Sequence, residues 1–395
     1  MEKPLHDVRV LDLSRVLAGP LGSMILGDLG ADVIRIEAPG GMDDMRSWAP
    51  FLQHESTYYL CANRNKRSIT LNLKEKAGKD MFEQLVKGAD VVIENFKTGT
   101  LERLGLDYRR LESINPKIIL CSVTGYGQTG PFKHFPGYDP VIQAVGGLMD
   151  VTGQPDGEAT RVGVPVVDLM TSHYVAISIL AALRSRDQSG EGQHIDLSLL
   201  DVQVSSLGNI ASSYLLNGKI SKRIGNEHGN IAPYESFDCE DKPIVIAAGN
   251  DRLYSKLCHA LNRPEWITDE RFQTNPERLK HRTSLKELIQ SVLKTKQADE
   301  WTELLSQQGI PCGAVNNIKQ VFEHPQVRYR KAVEEVMHPK LGAIRVTRSP
   351  IRFSKTSTEI SKPPPELGEH TDEILVQELG LTLKELKKLR ENGVI

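Results

Sequence analysis

A helical segment, a glycine and a short apolar strand opening on Ala-Asp-Val recur in this chain, and that unit restricts the fold more than any other feature. The first copy runs from about Pro20 to Leu29, turns at Gly30 and enters Ala31-Asp32-Val33-Ile34-Arg35-Ile36-Glu37. The second is Met81 to Lys87, Gly88, then Ala89-Asp90-Val91-Val92-Ile93-Glu94-Asn95. A looser third passes Leu111 to Ile114 and Asn115-Pro116 into the strand Lys117 to Val123. Both glycines are placed to close their helices, Gly30 in a left-handed conformation. With Val8 to Leu13 as a leading strand, strands alternating with helices predict a mainly parallel sheet with helices on its faces. A further strand, Arg161 to Val167, is expected to lead into a long helix from Leu169 to Arg186. Gln193 to Leu200 then resumes the sheet or an adjoining helix.

The texture changes after about residue 220. Ser236 to Gly249 reads as a hairpin turning at Glu240 to Lys242, and helical periodicity follows in Leu253–Leu261, Ser284–Leu293 and Ala298–Gln307. Strand-like patterns return at Gly342–Thr347 and Ile351–Ser354. The last helix opens on the capping box Thr382-Leu383-Lys384-Glu385 and stops at Gly393. The expected organisation is a Rossmann-like α/β domain over 1–200, a linker over 201–224 and a smaller α+β domain over 225–325. Residues 326–395 return to complete the large domain, and 395 residues suit such a division.

Charge and composition narrow the class. Lys and Arg number 49 against 51 acids, which argues against a nucleic-acid or membrane partner. The longest apolar run, Val175 to Leu183, falls short of the ~18 residues that span a bilayer. Met1-Glu2-Lys3-Pro4 leads straight into a strand pattern, leaving no room for a signal peptide. The five cysteines are odd in number and scattered, so reduced thiols in a cytoplasmic setting are expected. No CxxC or HxxxH occurs, and no metal site is expected.

Glu37, following the second strand, invites a dinucleotide-binding reading. The first strand-to-helix turn, Ser14-Arg15-Val16-Leu17-Ala18-Gly19-Pro20-Leu21-Gly22, lacks the G-x-G-x-x-G spacing, and Pro20 removes an amide donor. A Rossmann-like scaffold without a nicotinamide cofactor is therefore expected. Ligands of an open parallel sheet gather beyond the carboxyl ends of its strands. Those ends carry Ser14-Arg15, Glu37, Glu94 to Lys97, the glycine-rich Thr124 to Gly130, and Asp168. Glu37 and Glu94 read as ordinary strand-end acids. Asp168 reads as a helix N-cap, but a carboxylate facing that crevice, with a reference pKa of ~3.9, is also a nucleophile that needs no general base.

Longer motifs add to this. The chain resembles the class III coenzyme A transferases in Val10 to Pro20, Leu29 to Glu37, Asn63-Arg64-Asn65-Lys66-Arg67-Ser68, Glu94-Asn95-Phe96, Gly125 to Pro131 and Leu367-Gly368-Glu369-His370-Thr371. The segment Gly229 to Tyr234 and the turn Gly309-Ile310-Pro311 look most like the succinyl-CoA:glutarate branch. The resemblance puts the family's nucleophilic aspartate on Asp168. It puts coenzyme A contacts on Val16, Leu17, Ala18, Leu71, Lys74, Asn95, Phe96, Arg103 and Tyr138. Ala38 stands where some members place an adenine-contacting arginine, and Lys97 is a candidate replacement. The resemblance further implies an interlocked homodimer, acyl-CoA and carboxylic acid substrates, and no permanently bound cofactor.

The implied reaction moves coenzyme A from a short acyl-CoA to a small dicarboxylate through an aspartyl-CoA thioester. Amides at the start of the helix after Asp168 and around Gly249 are candidate oxyanion donors. For the remote carboxylate the candidates are Arg15, Arg46 and His228, a plainer reading being that Arg15 pairs with Glu37 while Arg46 faces solvent. An α-methylacyl-CoA racemase of the same fold, or a non-catalytic CoA-binding subunit, are the alternatives. Tyr138 stands where the racemase needs a histidine, and a phenol of pKa ~10 is a poor base at neutral pH.

Overall fold

The computed structural model describes residues 2–41 and 43–395. Six strands form one parallel sheet: β1 (Arg9–Asp12), β2 (Asp32–Glu37), β3 (Lys66–Thr70), β4 (Val91–Glu94), β5 (Ile119–Thr124) and β6 (His194–Ser198). Their order is β3-β2-β1-β4-β5-β6, with Val10 opposite Val33 on one side and Val91 on the other. Successive residues leave a strand on opposite faces, so strands covered on both faces read as continuous apolar runs. Val10, Val33, Val91, Ile93, Ile119 and Cys121 enter one hydrophobic cluster, while Leu11, Ile34, Val92 and Leu120 enter the other.

Helices α1 (Ala18–Asp28), α2 (Lys76–Lys87), α3 (Asp139–Val145), α4 (Val166–Ser189), α5 (Leu199–Ser205) and α6 (Gly208–Asn217) follow in chain order. Leu26 of α1 and Val175, Ile179 and Leu183 of α4 cover the first face. The helices cross closely at Gly22, where a β-carbon would lie 2.7 Å from Val175 Cβ. Phe82 and Leu85 of α2 cover the second face with Ile374, Leu375 and Leu386 from the C-terminal helices Thr371–Leu379 and Leu383–Glu391. The end of the chain thus completes the α/β layer, tied by Asn72 N donating to Val394 O at 2.8 Å. Gly30 has φ +113° as its capping role requires, whereas Gly88 closes its helix at φ −106°. The Thr382 capping box is present in full.

Several expectations are corrected. Residues 161–165 form no strand: Val162 N donates to Gln143 Oε1 and Val166 N to Val164 O, so this backbone bonds to α3 and to itself rather than to the sheet. Residues 351–354 form no strand either, because Ile351 is tied locally to Ser349 and Thr358; the partner of Gly342–Thr347 is Val333–His338. The stretch read as a linker holds most of α5 and all of α6. Helix α4 is longer than its apolar run, with a window of mean hydropathy 1.7, long and apolar enough to cross a membrane by length and composition. Its inner side is buried in the core, while Tyr174, Ile177 and Leu180 are exposed.

The chain divides into two compact units. One combines the stretch up to Leu148 with Arg161–Lys219 and Arg328–Ile395; the other combines Met149–Thr160 with Ile220–Val327. Met149–Thr160 joins the second unit because Arg223 Nη1 binds Asp150 O and Gly225 N binds Gly153 O. The second unit holds an antiparallel sheet ordered Cys312–Ala314, Pro243–Ala247, Tyr234–Asp238. Phe237, Ile246, Leu257, Phe272, Ile289 and Trp301 belong to its core.

Candidate active site

From β1 the chain winds outward through β2 and β3, then returns to the other side of β1 with β4. The order reverses between β1 and β4, and such a switch point opens a crevice beyond the strand ends. Asn95, just past β4, bridges it: its Oδ1 accepts from Arg15 N at 2.8 Å and its Nδ2 donates to Arg15 O at 2.7 Å. Phe96 N is held by Glu94 Oε2 at 2.8 Å, and the Arg15 guanidinium lies 5.7 Å from the Phe96 ring centre.

The turn after β1 rests on a buried charge network that sequence reasoning missed. Asp12 accepts from Ser14 N at 2.9 Å, Ser23 Oγ at 2.5 Å and Lys66 Nζ at 3.0 Å, and also binds Ser14 Oγ. Arg35, fully buried, donates to Ser14 O at 3.2 Å and pairs with Asp43 and Glu37. Asp43 Oδ1 in turn accepts from Val16 N and Met45 N, each at 3.0 Å. Val16 therefore sits at φ +63°, a left-handed backbone that a β-branched residue adopts only when its surroundings dictate it. Burial drives Lys66 down to about 8, whereas for Asp12 the attraction of Lys66 and Arg35 outweighs burial and leaves its pKa lowered. An acid and a lysine inside strands with buried faces were the available signal.

Asp168 is in the first turn of α4 and does not cap it. The cap is Asp139, whose Oδ2 accepts from Val167 N at 2.8 Å and Asp168 N at 3.3 Å. Asp139 Oδ1 is held by Gln143 Nε2 at 2.6 Å. With Val166 N bonded to Val164 O and Leu169 N to Pro165 O, the opening amides of α4 are taken, so they are not oxyanion donors. Among the described residues the Asp168 carboxyl itself accepts no hydrogen bond and forms no ion pair. Burial first, then the charge of Asp139, raises its pKa to about 7. The expectation of a fully ionised carboxylate at neutral pH is thus corrected. Glu94 is no ordinary strand-end acid either, since burial raises it to about 7.

Two cavities meet at Arg15 and Phe96. One, of about 250 Å³, contains Asp168 with Val16, Leu17, Ala18, Asn95, Lys97 and Tyr138 in its wall. The other, of about 380 Å³, is lined by Ala38, Leu71, Lys74, Thr100 and Leu104. Lys97 lines the first cavity and Ala38 the second. Arg103 lines neither, its Nη2 donating to Thr100 Oγ1 at 2.8 Å. Arg46 also lines neither: it grips Glu37 with two hydrogen bonds of 2.9 and 2.8 Å and lies 3.7 Å from the Tyr59 ring centre. It is a structural cation, and Glu37 pairs with it and with Arg35 rather than with Arg15. His228 and Gly249 belong to the second unit. There His228 stacks on Tyr234, and a β-carbon at Gly249 would strike Ile231 Cγ2 at 2.0 Å, so that glycine answers a packing need. Lys133, which the sequence reading passed over, lines the Asp168 cavity.

The sequence matches the profile of CoA-transferase family III over residues 5–371. It is 43% identical over 394 residues to a mouse succinyl-CoA:glutarate CoA-transferase, covering 100% of this chain and 90% of that one. A succinate–glutarate CoA-transferase of Agrobacterium fabrum is 42% identical over 382 residues, 95% of each chain. Among solved structures, a CAIB/BAIF family protein from Brucella suis superposes with a TM-score of 0.87 at 41% identity, covering 96% of this chain and 100% of that one.

Proposed function

The chain belongs to CoA-transferase family III, and from that premise we propose that it transfers coenzyme A from succinyl-CoA, or a similar short acyl-CoA, to a small dicarboxylic acid through Asp168. One observation carries the assignment of Asp168. A half-buried carboxyl faces a cavity at the sheet's switch point, with no hydrogen-bond or ion-pair partner among the described residues to give it a structural task. The curated relatives named for succinyl-CoA and glutarate support the substrate class.

The Asp168 carboxylate attacks the donor thioester carbonyl, forming an anhydride and expelling the coenzyme A thiolate. The thiolate attacks the aspartyl carbonyl of that anhydride, releasing the donor acid and leaving an aspartyl-CoA thioester. The acceptor carboxylate attacks this thioester, and the freed thiolate then takes the acceptor's carbonyl, restoring Asp168. The thioester bond's free energy is carried forward at each step. A pKa near 7 makes the ionised Asp168 a more basic nucleophile than an ordinary aspartate, while leaving about half of it ionised at pH 7. The cavity with Lys74 and Leu71 suits the nucleotide end of coenzyme A, and Arg15 and Phe96 stand where the chain passes toward Asp168.

A second copy of the chain is part of this reading. Helix α6 carries Ile210, Tyr214, Leu215 and Leu216 yet buries none of its residues, and α4 exposes Ile177, so these faces suit a homodimer. The deciding experiment is incubation with succinyl-CoA and hydroxylamine followed by peptide mass spectrometry. The modification should fall on Asp168 and be absent in Asp168→Asn. Deuterium entering the acyl α-position from heavy water, without transfer to any acid, would instead indicate racemase-type chemistry.

A further inference from the structure

The Asp168 cavity has one wall of different character, supplied by residues 124–138 between β5 and α3. The segment closes on itself at its neck, where a β-carbon at Gly125 would lie 2.7 Å from Gly137 Cα. It is also anchored to β6, with Gln128 N donating to both Asp196 oxygens at 3.0 Å. Between these ties Tyr126, Phe132 and Phe135 pack ring against ring, with centroids 5.0 to 6.4 Å apart. Phe132 and Phe135 remain about half exposed, and Lys133 stands between them in the sequence and lines the cavity beside Phe135. Among the described residues the Lys133 ammonium has no hydrogen-bond or ion-pair partner. The other cations lining the cavity are shared with neighbouring cavities. Arg15 also faces the cavity containing Lys74, and Lys97 also faces a small pocket containing Glu94, Glu102 and Asp107.

We propose that Lys133 receives the remote carboxylate of the diacid, making it the residue by which this cavity selects diacids over monoacids. The inference rests on the transferase reading above and adds the group that sets its acceptor. A partly buried cation without an internal partner, flanked by aromatic carbon, gains its counter-ion when a second carboxylate enters with the substrate. An ammonium on a flexible stem can follow diacids of slightly different length, where a guanidinium fork would fix one geometry.

The test compares glutarate with pentanoate, an acid of the same chain length without the second carboxylate, using the full-length protein and product mass spectrometry. In wild type the kcat/KM ratio of glutarate over pentanoate should exceed one by a wide margin. In Lys133→Met that ratio should fall by about 10- to 100-fold, the range produced by losing a hydrogen bond to a charged group. Most of the loss should appear in the KM for glutarate, and Lys133→Arg should restore the preference to within about threefold of wild type. An unchanged ratio in Lys133→Met overturns the inference, as does an equal loss for both acids or a wild type indifferent to the second carboxylate. In those cases the hydroxylamine adduct on Asp168 would still form, and the transferase reading would stand. Absence of that adduct in wild type, with no acid accepting coenzyme A, would remove both.

Discussion

Replacing Asp168 by asparagine should abolish transfer and at the same time make the protein more stable at pH 8. The native pKa is raised from 3.8 to about 7, chiefly by burial and secondly by the charge of Asp139. A group whose folded pKa lies above its unfolded value holds its proton in the native state while the unfolded chain has lost it. Its contribution is therefore fully present below 3.8 and is lost as pH rises through about 7. A gap of about three units corresponds to about 4 kcal/mol. Because one side of the carboxyl faces an open cavity, about 2 kcal/mol is the more realistic share. Asparagine keeps the shape and cannot ionise, so Asp168→Asn should exceed wild type by about 2–4 kcal/mol at pH 8. At pH 5 that advantage should be clearly smaller than at pH 8, since the native carboxyl is then largely protonated. Urea unfolding of both proteins at pH 5, 6, 7 and 8 gives the readout, and comparing across pH cancels any fixed effect of the amide. A stability offset that stays constant from pH 5 to pH 8, or that grows toward acid, would refute the reasoning.

The same raised pKa sets the activity profile. The kcat/KM for acyl-CoA should fall about tenfold per pH unit below about 7, and Asp139→Asn should move that limb to lower pH by removing the neighbouring charge. Asp43→Ala should destabilise the fold by about 3–5 kcal/mol in a thermal melt, because it leaves the buried Arg35 short of a counter-ion and Val16 N without its acceptor. An unchanged melting temperature would show that the left-handed Val16 is held by something else. Arg46→Met should lower stability without selectively raising the KM for a diacid, since its partner is Glu37; a selective KM effect would return Arg46 to the substrate site. Sedimentation should find a homodimer, and Leu215→Asp with Leu216→Asp on α6 should weaken it; a folded, active wild-type monomer at high dilution would refute the assignment of that face.

Much of the α/β layer was legible in the sequence because its signals are local. Val91-Val92-Ile93 reads as a strand since both faces are covered, and the runs before Gly30 and Gly88 read as helices from residues three and four apart. The same locality made Gly342–Thr347 and the capping box at Thr382 readable to the residue. Strand β3 escaped because Lys66-Arg67-Ser68-Ile69-Thr70 directs Lys66 into a charge network instead of hydrocarbon, so its pattern imitates a loop. Arg161 to Val167 misled for the converse reason: it has strand-like residues, but Gln143 and Asp139 claim its amides. Position offered Asp168 as a helix cap or a nucleophile and the family resemblance pointed to the second, whereas its charge state was a tertiary decision. Asp139 lies a whole loop and helix earlier in the chain, and the fold brings it to cap α4 and crowd the Asp168 carboxyl. Arg46 and Lys133 divide the same way: the fold supplied the first with Glu37 and left the second facing the cavity. Periodicity is set by neighbours a few residues apart, while the pairing and protonation of a charge depend on whatever groups the tertiary structure delivers within a few ångströms.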